Sequence, residues 1–279
     1  MKIIPIASDS MGVRSMATYV ETSDIKMMID PSAALGPLRY GLPPHRLEEE
    51  ALSSSLQEIK RYGKKCKIFV ISHYHFDHFS YDMEFLQGEL YIKDTRSFIN
   101  RSQKERAQEF KKSKKDFFYA DGKEIIKGST RIKFSKPFPH GPEGTKLGYV
   151  IMTVIEEDKK FIHASDVQGP VTTEATEYIL KEEPDIVYID GPPTYLGLRF
   201  GTKNVERAKK NLLKIADIAE TVILDHHSQR DLGIRKRLKE VYEVGNVVSA
   251  AEYAKKEEIN LEARRRELYK SNSFAERRS

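Results

Sequence analysis

Ser72-His73-Tyr74-His75-Phe76-Asp77-His78-Phe79 sets four metal-capable side chains within six positions. The segment follows Lys67-Ile68-Phe69-Val70-Ile71, an apolar, β-branched run that reads as a strand. The cluster therefore stands at that strand's C-terminal end. In extended chain, residues two apart point the same way, which brings His73 and His75 to one side. Asp77 and His78 come where the chain must turn, and there they can aim at a second ion close to the first. Imidazole together with carboxylate suits zinc, manganese or iron. Without a metal, three histidines and an aspartate crowded together would pack poorly.

Outward from this cluster the composition is that of an ordinary globular chain. It has 279 residues, a net charge of +5 and 32 % charged residues of mixed sign. Its length allows a sizeable core without disulfides, and the single cysteine, Cys66, excludes an internal one. That cysteine usage fits a reducing cytoplasm. No stretch approaches the roughly 20 apolar residues of a membrane span, so no membrane partner is expected. The opening Met1-Lys2-Ile3-Ile4-Pro5-Ile6-Ala7 reads as a first strand rather than a leader. Basic residues gather at 101–115 and in the tail from Arg264-Arg265-Arg266 to Arg277-Arg278.

Strands are expected at 2–7, 16–22, 25–30, 67–72, 89–92, 124–127, 130–135, 148–156, 159–163, 186–190 and 221–225. Helices are expected at 44–62, 95–115, 172–182, 203–219, 232–244 and 249–270. The first of these repeats Leu47, Ala51, Leu52, Leu56 and Ile59 at helical spacing. The 95–115 stretch is highly charged and reads as a surface helix or insertion. Residues 249–279 form a C-terminal helical segment that packs, dimerises or frays. There is no linker, so one domain over 1–279 is expected. Periodicity supports an α/β chain with mixed sheets and no more.

His73-Tyr74-His75-Phe76-Asp77-His78 matches the His-x-His-x-Asp-His signature of the metallo-β-lactamase superfamily, and the whole pattern resembles an archaeal branch of it. Other markers follow in order from Ile3 to about Asp231. Asp30, in Met27-Met28-Ile29-Asp30-Pro31, resembles the early aspartate. His140 resembles the third histidine, Asp166 the metal-bridging aspartate and His226 the last histidine. The resemblance implies an αβ/βα four-layer sandwich, two mixed sheets with helices outside. It implies His73, His75 and His140 on one divalent ion, Asp77, His78 and His226 on a second, and Asp166 between them. Zinc is the first choice, with manganese or iron as alternatives. Asp30 is read as a carboxylate that fixes a ligating histidine's tautomer, or as a plain strand-ending aspartate. Of the neighbours His226 and His227, alternation lets only one face the metals. His227 is then left for substrate or surface. His163, three residues before Asp166, is read as facing away.

Two metals about 3.5–4 Å apart can acidify a shared water toward a pKa of about 7, and Asp77 would also orient it. Asp190, which ends a strand before Gly191-Pro192-Pro193, is a candidate catalytic proton donor, though the sequence offers no clear choice for that role. The leading function is a metal-dependent phosphodiesterase or nuclease-like hydrolase. Leu224-Asp225-His226-His227-Ser228-Gln229-Arg230 is similar to the last-histidine segment of the tRNA 3′-processing branch, although that branch's His-Glu pair is missing. Lys111, Lys112, Lys114 and Lys115 would then grip a nucleic-acid partner. The first alternative is a small-molecule ester, lactone or amide hydrolase, with Arg39, Tyr40, Tyr195, Arg199 and His227 lining its pocket and Arg14 a further candidate. The second is a di-iron redox protein of the same fold. Assembly into a homo-oligomer is left open.

Overall fold

The computed structural model of the chain describes residues 1–114 and 116–276; Lys115, Arg277 and Arg278, counted above among the basic residues, lie outside them. Six strands form the first sheet in sequence order: β1 (Lys2–Pro5), β2 (Thr18–Glu21), β3 (Lys26–Ile29), β4 (Ile68–Ile71), β5 (Glu89–Ile92) and β6 (Phe118–Tyr119). The first three are an antiparallel meander, and β3 to β6 run parallel. The second sheet draws on β7 (Glu124–Lys127), β8 (Thr130–Phe134), β11 (Thr153–Glu156), β12 (Lys160–His163), β13 (Ile186–Ile189), β14 (Thr221–Leu224) and β15 (Val247–Val248). Its order is β15-β14-β13-β12-β11-β8-β7, with β12 to β15 parallel. A small hairpin, β9 (Phe138–Pro139) with β10 (Tyr149–Val150), stands apart.

Alternation along each strand divides the core into layers. In β4, Ile68 and Val70 enter a cluster with Ile132, Ile155, Phe161, Tyr188 and Ile223 of the second sheet. Phe69 and Ile71 point the other way, to Ile59 of α1 (Arg46–Gly63) and to Ala107 and Phe110 of α2 (Arg101–Ser113). On the far side, Ile162, Val187 and Val222 pack on α3 (Thr173–Glu182) and α4 (Thr202–Ile218) through Ile179, Leu212 and Ile215. The order helices, sheet, sheet, helices is the four-layer sandwich the sequence predicted. Each fully buried aliphatic side chain in it contributes about 1.5–3 kcal/mol. Cys66 lies within this packing, and burial pushes its thiol up to about 12, so it is an inert core residue.

Several elements differ from the sequence-based expectations, each for a tertiary reason. The predicted strand 148–156 breaks in two. Buried Ile151 donates its N–H to Ser72 O at 3.2 Å, and the chain crosses there from the hairpin into the second sheet. The predicted helix 232–244 divides into α5 (Ile234–Arg237) and α6 (Lys239–Tyr242). The predicted helix 249–270 becomes α7 (Ala250–Tyr253) and α8 (Leu261–Glu276). Between these last two, Lys255 and Asn260 take left-handed φ of 55° and 37°, and Ile259 N reaches Ser10 O at 2.9 Å. The predicted helix 95–115 starts only at Arg101, capped by Asn100, and its Gln103, Ala107 and Phe110 are buried. It is a surface helix with one face packed on the core.

The C-terminal segment packs on the core. Arg265 is fully buried and forms a two-pronged pair with Glu48, both contacts at 2.7 Å. Glu262 does the same for Arg14 at 2.6 and 2.7 Å. Burial alone would raise the Glu262 carboxyl, but Arg14 and Arg230 hold it down at about 2. Among the described residues, no helix is long and apolar enough to cross a membrane.

Candidate metal centre

Parallel strands end at the same edge, and that edge collects the chemistry. His73 to His78 follow β4, His140 follows β9, Asp166 follows β12 and His226 follows β14. Asp166 is their common neighbour. Its Oδ2 lies 3.1 Å from His140 Nε2, 3.5 Å from His226 Nε2, 3.6 Å from His227 Nε2 and 3.7 Å from His73 Nε2. Its Oδ1 lies 3.3 Å from His78 Nε2. His226 Nε2 is 3.5 Å from Asp77 Oδ2, and His73 Nε2 is 3.1 Å from His75 Nδ1. All seven predicted ligands thus converge. Two ligand sets, His73-His75-His140-Asp166 and Asp77-His78-His226, each hold their donor atoms within 4.8 Å of one another.

These donors fit divalent metal. His78 Nε2, both nitrogens of His140 and Asp166 Oδ1 are buried with no hydrogen-bond partner, although folded interiors leave few polar atoms in that state. Burial lowers His73, His75 and His227, with His75 down to about 3, so these rings are neutral and can offer lone pairs. Burial also opposes charge on His78 and His226. There the carboxylates win: Asp166 and Asp30 raise His78, while Asp166 and Asp9 bring His226 to about 9.

A shell of anchors sets the tautomers. Asp30 Oδ2 meets His78 Nδ1 at 2.8 Å, and Asp30 also accepts from Ser72 N and Ser72 Oγ. Ser72 Oγ in turn lies 3.0 Å from His73 Nδ1, so one carboxylate orients two rings. Asp9 Oδ2 meets His226 Nδ1 at 2.7 Å, and Arg230 steadies Asp9 from the other side at 2.8 Å. Asp9 did not stand out in the sequence, where its only signal was its place just beyond a first strand, and Arg230 was visible only as the end of the last-histidine segment. Replacing Asp9 by alanine is expected to weaken metal binding about 10–100-fold, measured by competition with a chromogenic chelator.

Strain collects here too. Asp30, Ser165, Gln168 and His226 take left-handed φ of 50°, 57°, 55° and 60°. At His226 this corrects the alternation argument, because the left-handed residue lets consecutive side chains face the same way. Both His226 and His227 reach Asp166, at 3.5 and 3.6 Å. Gly141, after His140, has φ 107°, and a Cβ there would meet Gln168 Oε1 at 2.2 Å.

Asp190 also needs correction. It is fully buried, accepts from Gln168 N at 2.8 Å and meets His227 Nδ1 at 2.7 Å. Burial, aided by the Asp166 charge, pushes its carboxyl well above the usual range. It orients His227 and does not open toward substrate. His163 does face away, with Nε2 3.0 Å from Met16 O.

A cavity of about 490 Å³ opens beside His75, Asp77, His140 and Asp166. Of the predicted substrate-binding residues, Tyr195 and His227 line it, as does Arg14. Arg39 and Tyr40 stand behind that wall. Arg39 stacks on Tyr195 and on Tyr40 at 4.5 and 4.7 Å from the ring centroids, and Arg266 covers Tyr40 at 4.7 Å. Arg199 is exposed and lies outside the lining. A larger groove of about 730 Å³, at the opposite, N-terminal ends of β3, β4 and β5, is lined by Lys26, Lys67 and Glu89 and holds none of the ligand clusters found among the described residues.

No family model matches the sequence. Among solved structures, an isothiocyanate hydrolase from Delia radicum gut bacteria is 16% identical, with a TM-score of 0.54 over 85% of this chain and 94% of that one. A possible metal-dependent hydrolase from Veillonella parvula is 14% identical, with a TM-score of 0.51 over the same shares. The fold is that of the metallo-β-lactamase superfamily, with a His/Asp cluster that fits a metal site. In sequence, the chain is 46% identical to the UPF0282 protein of Methanopyrus kandleri over 96% of its length and 99% of that protein. It is 42% identical to the UPF0282 protein of Methanocaldococcus jannaschii, over 99% of each. The chain belongs to the UPF0282 family.

Proposed function

We propose that this chain is a metal-dependent hydrolase holding two divalent ions, zinc first, and acting on a small phosphodiester. The observation that carries the reading is the convergence of seven donors, Asp166 among them, beside an open cavity. His73, His75 and His140 would hold one ion, and Asp77, His78 and His226 the other, with Asp166 between them. When bound, such ions would polarise the bond under attack and acidify water toward neutral pH. The chain's own groups do the rest. Asp30, Ser72 and Asp9 hold the imidazoles in the ligating tautomer. His227, with its Nδ1 fixed by Asp190, presents Nε2 to the cavity for contact with substrate.

The nuclease form of this reading has less support. Lys111 bonds inward to Tyr119 Oη at 3.0 Å, Lys112 pairs with Glu109 at 2.5 Å and Arg265 is fully buried. Arg265 is therefore closed to a phosphate backbone and Lys111 is turned toward Tyr119, while Lys112 keeps an exposed side chain. The apolar wall of Leu35, Pro37, Phe76, Leu147 and Leu196 favours the acyl-hydrolase alternative as second choice. Bis-p-nitrophenyl phosphate and p-nitrophenyl esters separate the two. Turnover of the diester, lost on chelation and restored by zinc, is expected. With metal loaded, no turnover of either class would refute the hydrolase reading.

A further inference from the structure

Three arginines line the cavity, and they differ in what they face. Arg14 is held by both oxygens of Glu262, and Arg230 by Asp9. Arg106 pairs with no carboxylate among the described residues. It donates one hydrogen bond, to Tyr74 O at 3.0 Å, and its guanidinium covers the Phe76 ring at 4.8 Å. The side chain is half-buried. A guanidinium carries five N–H donors in a rigid fork, so most of Arg106's capacity is left for the cavity. Removing part of a cation from water without a counter-ion is costly, which argues for an anion as its partner.

The position of Arg106 is fixed relative to the metal centre. Gln103, one helical turn earlier on α2, about 4.5 Å along the axis, holds the helix in place. Gln103 Nε2 donates to Leu147 O at 2.6 Å and lies 3.4 Å from His75 Nε2, while its Oε1 accepts from Tyr74 N at 3.1 Å. The same cavity that Arg106 shares with His75, Asp77, His140 and Asp166 is also lined by apolar Leu35, Leu147 and Phe76.

We propose that Arg106 determines specificity in this cavity by binding a second oxyanion, a carboxylate or phosphate carried by the substrate beyond its scissile group. The substrate is then a small molecule with an apolar middle and an anionic end. This rests on the metal-dependent hydrolase reading and adds a feature that the reading alone does not require.

The test is calorimetric titration of the zinc-loaded full chain with phenylphosphonate, with its 3- and 4-carboxy derivatives, and with 1,3- and 1,4-phenylenediphosphonate. In the wild type, the added oxyanion is expected to tighten binding about tenfold or more in at least one isomer. That ratio should collapse in Arg106→Gln and return in part in Arg106→Lys. The larger of the carboxylate and phosphonate gains names the natural group. Phenylphosphonate binding with no gain from a second oxyanion, or an equal gain in Arg106→Gln, overturns this inference alone. If phenylphosphonate fails to bind the wild type at all, the metal-centred reading fails and the inference falls with it.

Discussion

Replacing Asp166 by alanine is expected to leave the chain folded, by circular dichroism, and to lower turnover of bis-p-nitrophenyl phosphate about a thousandfold or more. The reasoning is local. Five histidines, His73, His78, His140, His226 and His227, come within 3.1–3.7 Å of this one carboxylate. Without it, the two ligand sets lose the charge they share and the oxygens between them. Metal-ion stabilisation of developing charge is worth several kcal/mol, and about 1.4 kcal/mol is a factor of ten in rate. Asp166→Asn keeps the shape and removes the charge, so it should fall nearly as far. If Asp166→Ala keeps most of the wild-type activity, then the carboxylate is not at the reacting centre.

The second large effect is on stability and comes from the far end of the chain. Arg265→Ala strands the carboxylate of Glu48, fully buried within α1, where it also accepts the His45 N–H at 2.9 Å. Arg265 further donates to Leu42 O and Gly36 O at 3.0 and 2.9 Å. Breaking one side of a buried pair costs about 3–5 kcal/mol, because the remaining charge has no partner. For a chain of this size the melting temperature should fall on the order of 10 °C. Activity should fall as well, since α8 carries the Glu262 that holds Arg14 in the cavity wall. The double variant Arg265→Met with Glu48→Met removes both charges and should recover much of the loss. Thermal denaturation of the three proteins reads this out, and a single variant as stable as wild type would show the pair to be idle.

The sequence revealed most where the deciding interactions are local. The β4 run and the His73 to His78 cluster were legible because ligand spacing and strand period act over a few residues. The four layers came with the family resemblance, since periodicity reached only mixed sheets; the structure shows β4 and β13 alternating their apolar residues between two cores each. Local rules failed where distant contacts overrode them. His226 breaks alternation because its backbone is left-handed, so its neighbour His227 enters the site as well. The last predicted helix breaks where Ile259 and Asn260 bond to Ser10 and Gln229. Asp190, a strand-end aspartate by sequence, turned inward to backbone N–H groups and His227. Asp9 and Arg106 owe their significance to partners about 30 to more than 200 residues away and carry no motif of their own, and Arg230, quoted only as the end of the last-histidine segment, owes its role to Asp9. The archaeal branch suggested by the overall pattern agrees with the UPF0282 relatives.

Metal stoichiometry probes the central claim most directly. Inductively coupled plasma mass spectrometry on the zinc-loaded, desalted chain should find two ions per chain in the wild type, about one in His140→Ala and less than one in Asp166→Ala. A wild type that retains no metal, or a content unchanged by either substitution, would contradict the proposed centre.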